Sequence, residues 1–118
     1  MKQTEHDEQV KVFAWAKLQS GKHPQLSMMF AIPNGGQRNI VTATKLKAEG
    51  VKSGVPDIFL AVPSDTAHGL FIEMKSAKGK ASDNQKQWLS ALSSNGYICA
   101  ICYSFSDAQQ IIMEYLDI

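Results

Sequence analysis

An aspartate and a Glu-x-Lys motif stand sixteen residues apart in two apolar segments of this chain. The first segment, "GVPDIFL", contains Asp57, and the second, "FIEMK", contains Glu73 and Lys75. Side chains alternate between the faces of a β-strand, so Glu73 and Lys75 are predicted to project from the same face. A buried charge is costly unless an opposite charge lies close to it. An acid and a base in an apolar strand therefore indicate a site with chemistry of its own.

The chemistry depends on whether Asp57 and Glu73 meet. If their strands pair as neighbours, the two carboxylates converge, and with other oxygen ligands they make a hard site suited to Mg²⁺ or Mn²⁺. A lysine beside such an ion can orient or help to deprotonate a water and can neutralise charge on a phosphate, which is the chemistry of phosphodiester hydrolysis. Alternatively, Asp57 caps a turn, and Glu73 and Lys75 form a solvated pair on the sheet surface.

The elements that must position these residues can be predicted from capping signals and apolar periodicity. Ser106 and Gln109 are expected to form the capping box of the last helix. The predicted order is a helix capped by Thr4, a strand Met28–Ile32, a helix capped by Asn39, strands Asp57–Val62 and Leu70–Met74, a helix opened by Ser82, a strand Tyr97–Tyr103 and a final helix.

This order predicts an α/β fold. Two of the strands are almost continuously apolar, as expected of a sheet that is covered by helices on both faces. We expect a mixed sheet of about four strands. The 118 residues are predicted to form one domain, 1–118.

Composition excludes several classes of protein. The chain is 44% hydrophobic and 19% charged, which argues against disorder. It has no apolar run long enough to span a membrane and no apolar signal core near the N-terminus, so a cytoplasmic location is predicted. Cys99 and Cys102 form a lone C-x-x-C in an apolar strand. They would lie on opposite faces, so buried free thiols are expected rather than a zinc or redox site.

Positive charge is concentrated in the middle of the chain. Between Arg38 and Lys86 there are eight lysines or arginines and five acids, although the whole chain carries a net charge of only +1. Such a field is compatible with a phosphate backbone. Lysines on solvated helix faces would give the same count.

Five sequence blocks together resemble the VRR-NUC branch of the PD-(D/E)XK nucleases. In chain order they are "EHDEQ", "IPNGGQR", "GVPD", "EMK" and "ASDNQKQWLSAL", and they span nearly the whole chain. The resemblance implies a restriction-endonuclease-like core and a divalent-metal-dependent endodeoxyribonuclease. It also implies that Asp57 and Glu73 are metal ligands, that the Met74 carbonyl is a further ligand, and that Lys75 is the catalytic lysine.

Three further side chains match the family pattern less specifically. Gln85 matches a glutamine that faces the site, but Ser82 and Gln85 also fit a capping box. Glu5 and Gln9 share a helix face, as in the first helix of the family, and Glu8 is the alternative acid. Both acids could instead complement the helix dipole.

DNA contacts are predicted in the turn "IPNGGQR" and at several lysines. The glycines of the turn allow the backbone to approach a phosphate closely, although a plain tight turn fits equally well. The candidate DNA-binding residues are Asn34, Gly35, Gly36, Arg38, Lys45, Lys47, Lys52, Lys78 and Lys80.

The compact size resembles phage and bacterial stand-alone VRR-NUC proteins. That resemblance implies a homodimer acting on branched DNA, a four-way (Holliday) junction above all, with Mg²⁺ or Mn²⁺, no membrane partner and no small-molecule cofactor. A nuclease acting on flaps or other substrates, or a non-catalytic DNA-binding module, are the alternatives.

Overall fold

A computed structural model describes residues 4–33 and 40–118 of the chain. The predicted order of helices and strands is confirmed, with a short 3₁₀ helix added before the first strand. The predicted cap Asn39 lies outside the described residues. The elements are α1 (Glu5–Gln19), the 3₁₀ helix (Pro24–Met28), β1 (Met29–Ala31), α2 (Ile40–Ala48), β2 (Ile58–Leu60), β3 (Leu70–Met74), α3 (Asp83–Ser94), β4 (Ile98–Cys102) and α4 (Phe105–Leu116).

The four strands form one mixed sheet in the order β1-β2-β3-β4. The first three strands are antiparallel neighbours, and β4 runs parallel to β3. Helix α3 supplies the crossover that a parallel pair requires. All five residues of β3 are buried, so this central strand is shielded on both faces.

One face of the sheet carries the main hydrophobic core. Ile72 and Met74 of β3 project from it and pack in one cluster with Val12 of α1 and Ile112 of α4. Burying each such aliphatic side chain contributes about 1.5–3 kcal/mol. Because α1 and α4 both serve this cluster, they are held next to the end of β3 that carries Glu73 and Lys75.

The opposite face is covered by aromatic rings and by α3. Phe59 and Phe71 stack across β2 and β3 with their ring centroids 4.3 Å apart. Helix α3 packs against β4, in which Cys99 is the partner of Phe71. The sheet is therefore flanked by helices on both faces, as predicted.

The two cysteines are free thiols on opposite faces of β4, as expected, although only Cys102 is buried and Cys99 is half-buried. Burial raises the pKa of Cys99 and raises that of Cys102 to about 11. A thiol with a raised pKa is a poor nucleophile and metal ligand at neutral pH, which fits a structural role.

No helix within residues 4–33 and 40–118 combines the length and the apolar character needed to cross a membrane.

The predicted capping box of the last helix was wrong. Helix α4 begins at Phe105, and its N-cap is Ser104, whose Oγ accepts a hydrogen bond from the Asp107 N–H at 3.1 Å. Ser104-x-x-Asp107 competes with Ser106-x-x-Gln109 for the same role. The earlier start is favoured because the Phe105 N–H, which has no intrahelical partner, meets a carboxylate from α1.

Two serines of this segment provide a matched test of the cap. Ser104→Ala is expected to lower the free energy of unfolding by about 1 kcal/mol, because the Asp107 N–H loses its acceptor. Ser106→Ala should change it by less than about 0.5 kcal/mol. Urea unfolding of both variants beside the wild type measures the difference. A larger loss from Ser106→Ala would contradict the observed helix start.

Candidate active site

Asp57 and Glu73 are brought together by the pairing of β2 with β3. Ile58 lies opposite Ile72 in this antiparallel pair, so the next pair along is Asp57 and Glu73. Asp57 Oδ2 accepts a hydrogen bond from the Met74 N–H at 2.7 Å. The Asp57 and Glu73 carboxyl groups also hydrogen-bond each other. Two acids that are distant in sequence therefore share one site at the edge of the core.

Glu73 is a buried acid in an unfavourable environment. Its side chain is 1% exposed, and its Oε2 atom has no hydrogen-bond partner among the described residues. Burial is the main cause that raises the pKa of Glu73 to about 9, and the hydrogen bond and negative charge of Asp57 add to it. The carboxyl therefore holds a proton at neutral pH unless a cation replaces that proton.

Lys75 follows at the end of the same strand. Its backbone N–H donates to the Cys102 carbonyl at 2.9 Å, which extends the β3–β4 pairing past Met74 and fixes the backbone that carries the amine. The side chain is half-buried, and its positive charge opposes the rise in the pKa of Glu73. Lys75 also lines an open cavity of about 420 Å³ at the N-terminal end of α1.

Glu5 lies on the side of α1 that faces the acid pair. Its Oε1 accepts from the Ser76 N–H at 3.1 Å, and its negative charge contributes to the raised pKa of Glu73. Glu5 and Gln9 line a second cavity, of about 430 Å³, together with Asp57. The predicted Glu5 and Gln9 face is therefore the one turned toward the site.

Glu8 makes a structural contact instead. Its Oε1 accepts from the Phe105 N–H at 2.9 Å, and its Oε2 pairs with Lys11 Nζ at 3.1 Å. The Phe105 hydrogen bond is the main cause that holds the pKa of Glu8 below its ordinary value. Glu8 thus ties α1 to the first turn of α4. It also borders the cavity of Lys75, so a role there stays a prediction.

Gln85 forms the predicted capping box. Its Oε1 accepts from the Ser82 N–H at 2.8 Å, and its own N–H donates to Ser82 Oγ at 3.2 Å. The Oε1 end of the Gln85 amide therefore already accepts a hydrogen bond at the start of α3. A contact between Gln85 and a ligand of the site stays a prediction.

The candidate DNA-binding residues fall into two groups. Asn34, Gly35, Gly36 and Arg38 lie outside the described residues. The five lysines are exposed: Lys45 and Lys47 in the last turn of α2, Lys52 before β2, and Lys78 and Lys80 after β3. Lys78 lines the same cavity as Lys75, which places positive charge beside the catalytic candidates.

Comparison with known proteins decides the family. The model of the VRR-NUC domain matches residues 2–106. The chain belongs to the VRR-NUC family. It is therefore a nuclease-type domain, which agrees with the resemblance of its five sequence blocks.

A solved structure supports the same assignment. This VRR-NUC domain is similar to a protein described as "VRR_NUC domain protein", with a TM-score of 0.83 and 28% sequence identity, over 99% of this chain and 91% of the other. A comparison with curated proteins gives no significant match.

Two side chains near Lys75 were not predicted from sequence. Ser76 and Tyr103 line the cavity into which Lys75 opens. Ser76 could have been inferred from its position next to Lys75. Nothing in the sequence marks Tyr103, which reaches the cavity only because β4 lies parallel to β3.

Replacing the buried acid should stabilise the protein in the absence of metal. In unfolded wild type, Glu73 releases its proton near the ordinary pKa of 4.5, whereas the folded protein keeps it until about 9. Wild-type stability should therefore fall as pH rises through this interval, and Glu73→Gln removes the effect because glutamine does not titrate. Near neutral or mildly alkaline pH the variant should be more stable by roughly 1–2 kcal/mol.

Thermal unfolding in EDTA across this pH range measures the difference, with the exposed Glu49→Gln as the control. The advantage of Glu73→Gln should disappear below the pKa of the unfolded chain. An advantage that stays constant with pH would show that titration of Glu73 is not its cause.

Proposed function

We propose that this VRR-NUC domain is a divalent-metal-dependent endonuclease that hydrolyses phosphodiester bonds in DNA. The observation that carries the proposal is that the buried Glu73 meets the half-buried Asp57, with Lys75 two residues after Glu73. A buried carboxyl beside a second carboxyl does not stabilise the core, since burial and the like charge both disfavour its ionised form. Its presence is best explained by a ligand that it serves.

The acid pair fits a hard divalent cation. Glu73 Oε2 is buried without a hydrogen-bond partner among the described residues, and Asp57 adds a second carboxylate. No group of three or more His, Cys, Asp or Glu in the described part of the chain is arranged to hold a metal. The Met74 carbonyl and oxygens of water or substrate would therefore complete the ligand set, as Mg²⁺ and Mn²⁺ accept. The bound cation would supply Lewis acidity to a phosphate and lower the pKa of a bound water.

The chain's own groups would position the phosphate and the water. Asp57 is held by the Met74 N–H, so its carboxylate direction is preset before any ligand binds. Lys75 follows Glu73 by two residues and lines a cavity at the N-terminal end of α1, and its ammonium group would orient an attacking water and neutralise charge that develops on the phosphate oxygens. Glu5 lines the same cavity as Asp57 and would act on a ligand that binds there.

We further propose that the substrate is branched DNA and that the active form is a homodimer. One active site makes one nick, so symmetric cutting of a four-way junction needs two sites related by a two-fold axis. The exposed lysines of α2 and of the loops around β2 and β3 would hold phosphates without reading bases. Recognition of DNA shape suits a domain of this size, which carries no large insertion between the described elements.

Cleavage of labelled DNA structures tests the proposal. Wild type should nick four-way junctions in Mg²⁺ or Mn²⁺ and not in EDTA. Asp57→Asn and Lys75→Ala should each lower the rate by about 10²–10⁴-fold, because they remove a ligand and a charge that act on the reacting phosphate. Lys17→Ala, on the exposed end of α1, is the control for the loss of one lysine.

The cleavage products test the choice of substrate separately from the reaction chemistry. Paired symmetric nicks would support a dimeric resolvase. Cutting of flaps alone would leave the metal-dependent nuclease intact and remove the junction assignment. Binding of junctions with no cleavage in any metal would overturn the nuclease and favour a DNA-binding module.

Replacing two acids in the first turn of α1 should distinguish a role in catalysis from a role in stability. Glu5→Ala is expected to lower cleavage by about 10–100-fold, as loss of an outer partner of a metal site does. Glu8→Ala should instead lower the free energy of unfolding by about 1–3 kcal/mol, because the Phe105 N–H is left without its acceptor. Cleavage rates and urea unfolding of both variants provide the test. The reverse pattern would place Glu8 rather than Glu5 in the catalytic site.

A further inference from the structure

A second cleft lies between α2, the loop before β2, and α3. Its cavity has a volume of about 560 Å³ and is lined by residues that include Leu46, Lys47, Lys52 and Trp88. A smaller cavity of about 210 Å³ continues along α3 and shares Trp88 with it. We call the two cavities together the α2–α3 cleft. It is separate from the two cavities that border Lys75 and Asp57.

The cleft is held open by a fixed contact at its base. The Asn84 side-chain amide donates to the Ser53 carbonyl and to Ser53 Oγ, both at 2.9 Å. Gly54 has a φ of +88°, and a Cβ on it would lie 2.7 Å from Asn84 Nδ2. Only glycine allows this close approach. The loop that leads to Asp57 is thereby fastened to the first turn of α3, and the cleft is formed without a ligand.

Trp88 is not accounted for by the core. None of the residues of α3 is fully buried, and Trp88 is only half-buried. The other tryptophan, Trp15, packs against the core cluster and forms an edge contact with Phe105, whereas Trp88 belongs to neither that cluster nor any aromatic pair of the described residues. A large aromatic side chain that borders a cleft but not the core is available to a ligand.

The positive charge of the cleft indicates that it binds an anionic ligand. Lys47 and Lys52 line it, and no acidic side chain lines either cavity among the residues that the structure describes. A cationic groove combined with an aromatic side chain is the arrangement that binds single-stranded nucleic acid, in which lysines neutralise phosphates and a base stacks on the ring. Lys52 precedes Asp57 by five residues in the loop that leads to β2.

We propose that the α2–α3 cleft binds an unpaired nucleotide of a DNA strand, with its base on Trp88 and its phosphate at Lys52 and Lys47. The inference rests on the proposed function for its biological use, because opening of a branch point exposes unpaired nucleotides that an intact linear duplex does not offer. The cleft itself would bind single-stranded DNA whether or not the domain cleaves it.

Fluorescence of single tryptophans tests this directly. In Trp15→Phe the remaining emitter is Trp88, and oligothymidylate of about 15 nucleotides added in EDTA should quench its emission saturably. In Trp88→Phe the remaining emitter is Trp15, whose emission should be unchanged by the same oligonucleotide. Both proteins keep an aromatic ring at each position, and Trp15→Phe leaves the proposed contact intact even if truncation at position 88 disturbs folding.

Affinity measurements give the second readout. Trp88→Ala should weaken oligothymidylate binding by about 5- to 100-fold, the range for loss of one base–aromatic stack, and Trp88→Phe should weaken it less. Lys52→Ala should weaken binding and reduce the slope of log affinity against log salt by about 0.7, whereas Lys17→Ala should leave both unchanged. Unchanged Trp88 emission together with unchanged affinity of Trp88→Ala would overturn the proposal, as would failure of the wild type to bind oligothymidylate.

The nuclease proposal is tested independently by metal-dependent cleavage and its loss in Asp57→Asn. Quenching of Trp88 without any cleavage would support the cleft and overturn the nuclease. Cleavage that depends on Asp57, with no change in Trp88 emission on addition of oligothymidylate and no loss of affinity in Trp88→Ala, would support the nuclease and overturn the cleft.

Discussion

A carboxyl group buried beside another carboxyl group is the constraint on which the rest of this structure depends. Glu73 lies on a strand whose five residues are all buried, so it cannot recover its hydration. Asp57 is fixed next to it by the pairing of two strands and by the Met74 N–H. The folded protein offsets this cost with a proton, and the proposed cation would offset it with positive charge.

The surrounding elements keep this unfavourable pair in place. Core packing on the face of Ile72 and Met74 holds β3 from one side, and the stacked Phe59 and Phe71 hold it from the other. Because both faces are shielded, Glu73 cannot rotate toward water without exposing apolar surface. The stability of the sheet is thus the reason that the acid stays desolvated. Active sites are commonly less stable than the same region would be with apolar residues.

Helix α1 connects the acid pair to the rest of the fold through two acids. Glu5 accepts from the backbone after Lys75, and Glu8 accepts from the first turn of α4. The two contacts join the ends of β3 and β4 to one helix terminus, and residues of that terminus line both cavities of the candidate active site. Asn84 and Gly54 fasten the loop before Asp57 to α3. Each element that approaches the site is therefore tied down by a specific polar contact.

Local sequence signals determined the type and order of the elements and the chemistry of the candidate residues. Thr4 and Ser82 begin helices because their side chains satisfy N–H groups within three residues, a contact that needs no distant partner. The alternation of β3 placed Glu73 on the face opposite Ile72 and Met74 for the same local reason. Asp57, Glu73 and Lys75 were recognisable because charged residues are unusual in apolar strands.

Only the tertiary structure decided which of these residues meet. The sequence pattern predicted Ser106 as the cap of the last helix, and it gave Glu5 as an acid of the site with Glu8 as the alternative. The helix begins instead after Ser104, and the Phe105 N–H donates to Glu8 across 97 residues of sequence, which gives Glu8 a structural partner in α4. The pKa of Glu73 and the α2–α3 cleft likewise arise from strand pairing and helix packing, because desolvation and cavities are properties of groups that come together only when the chain folds.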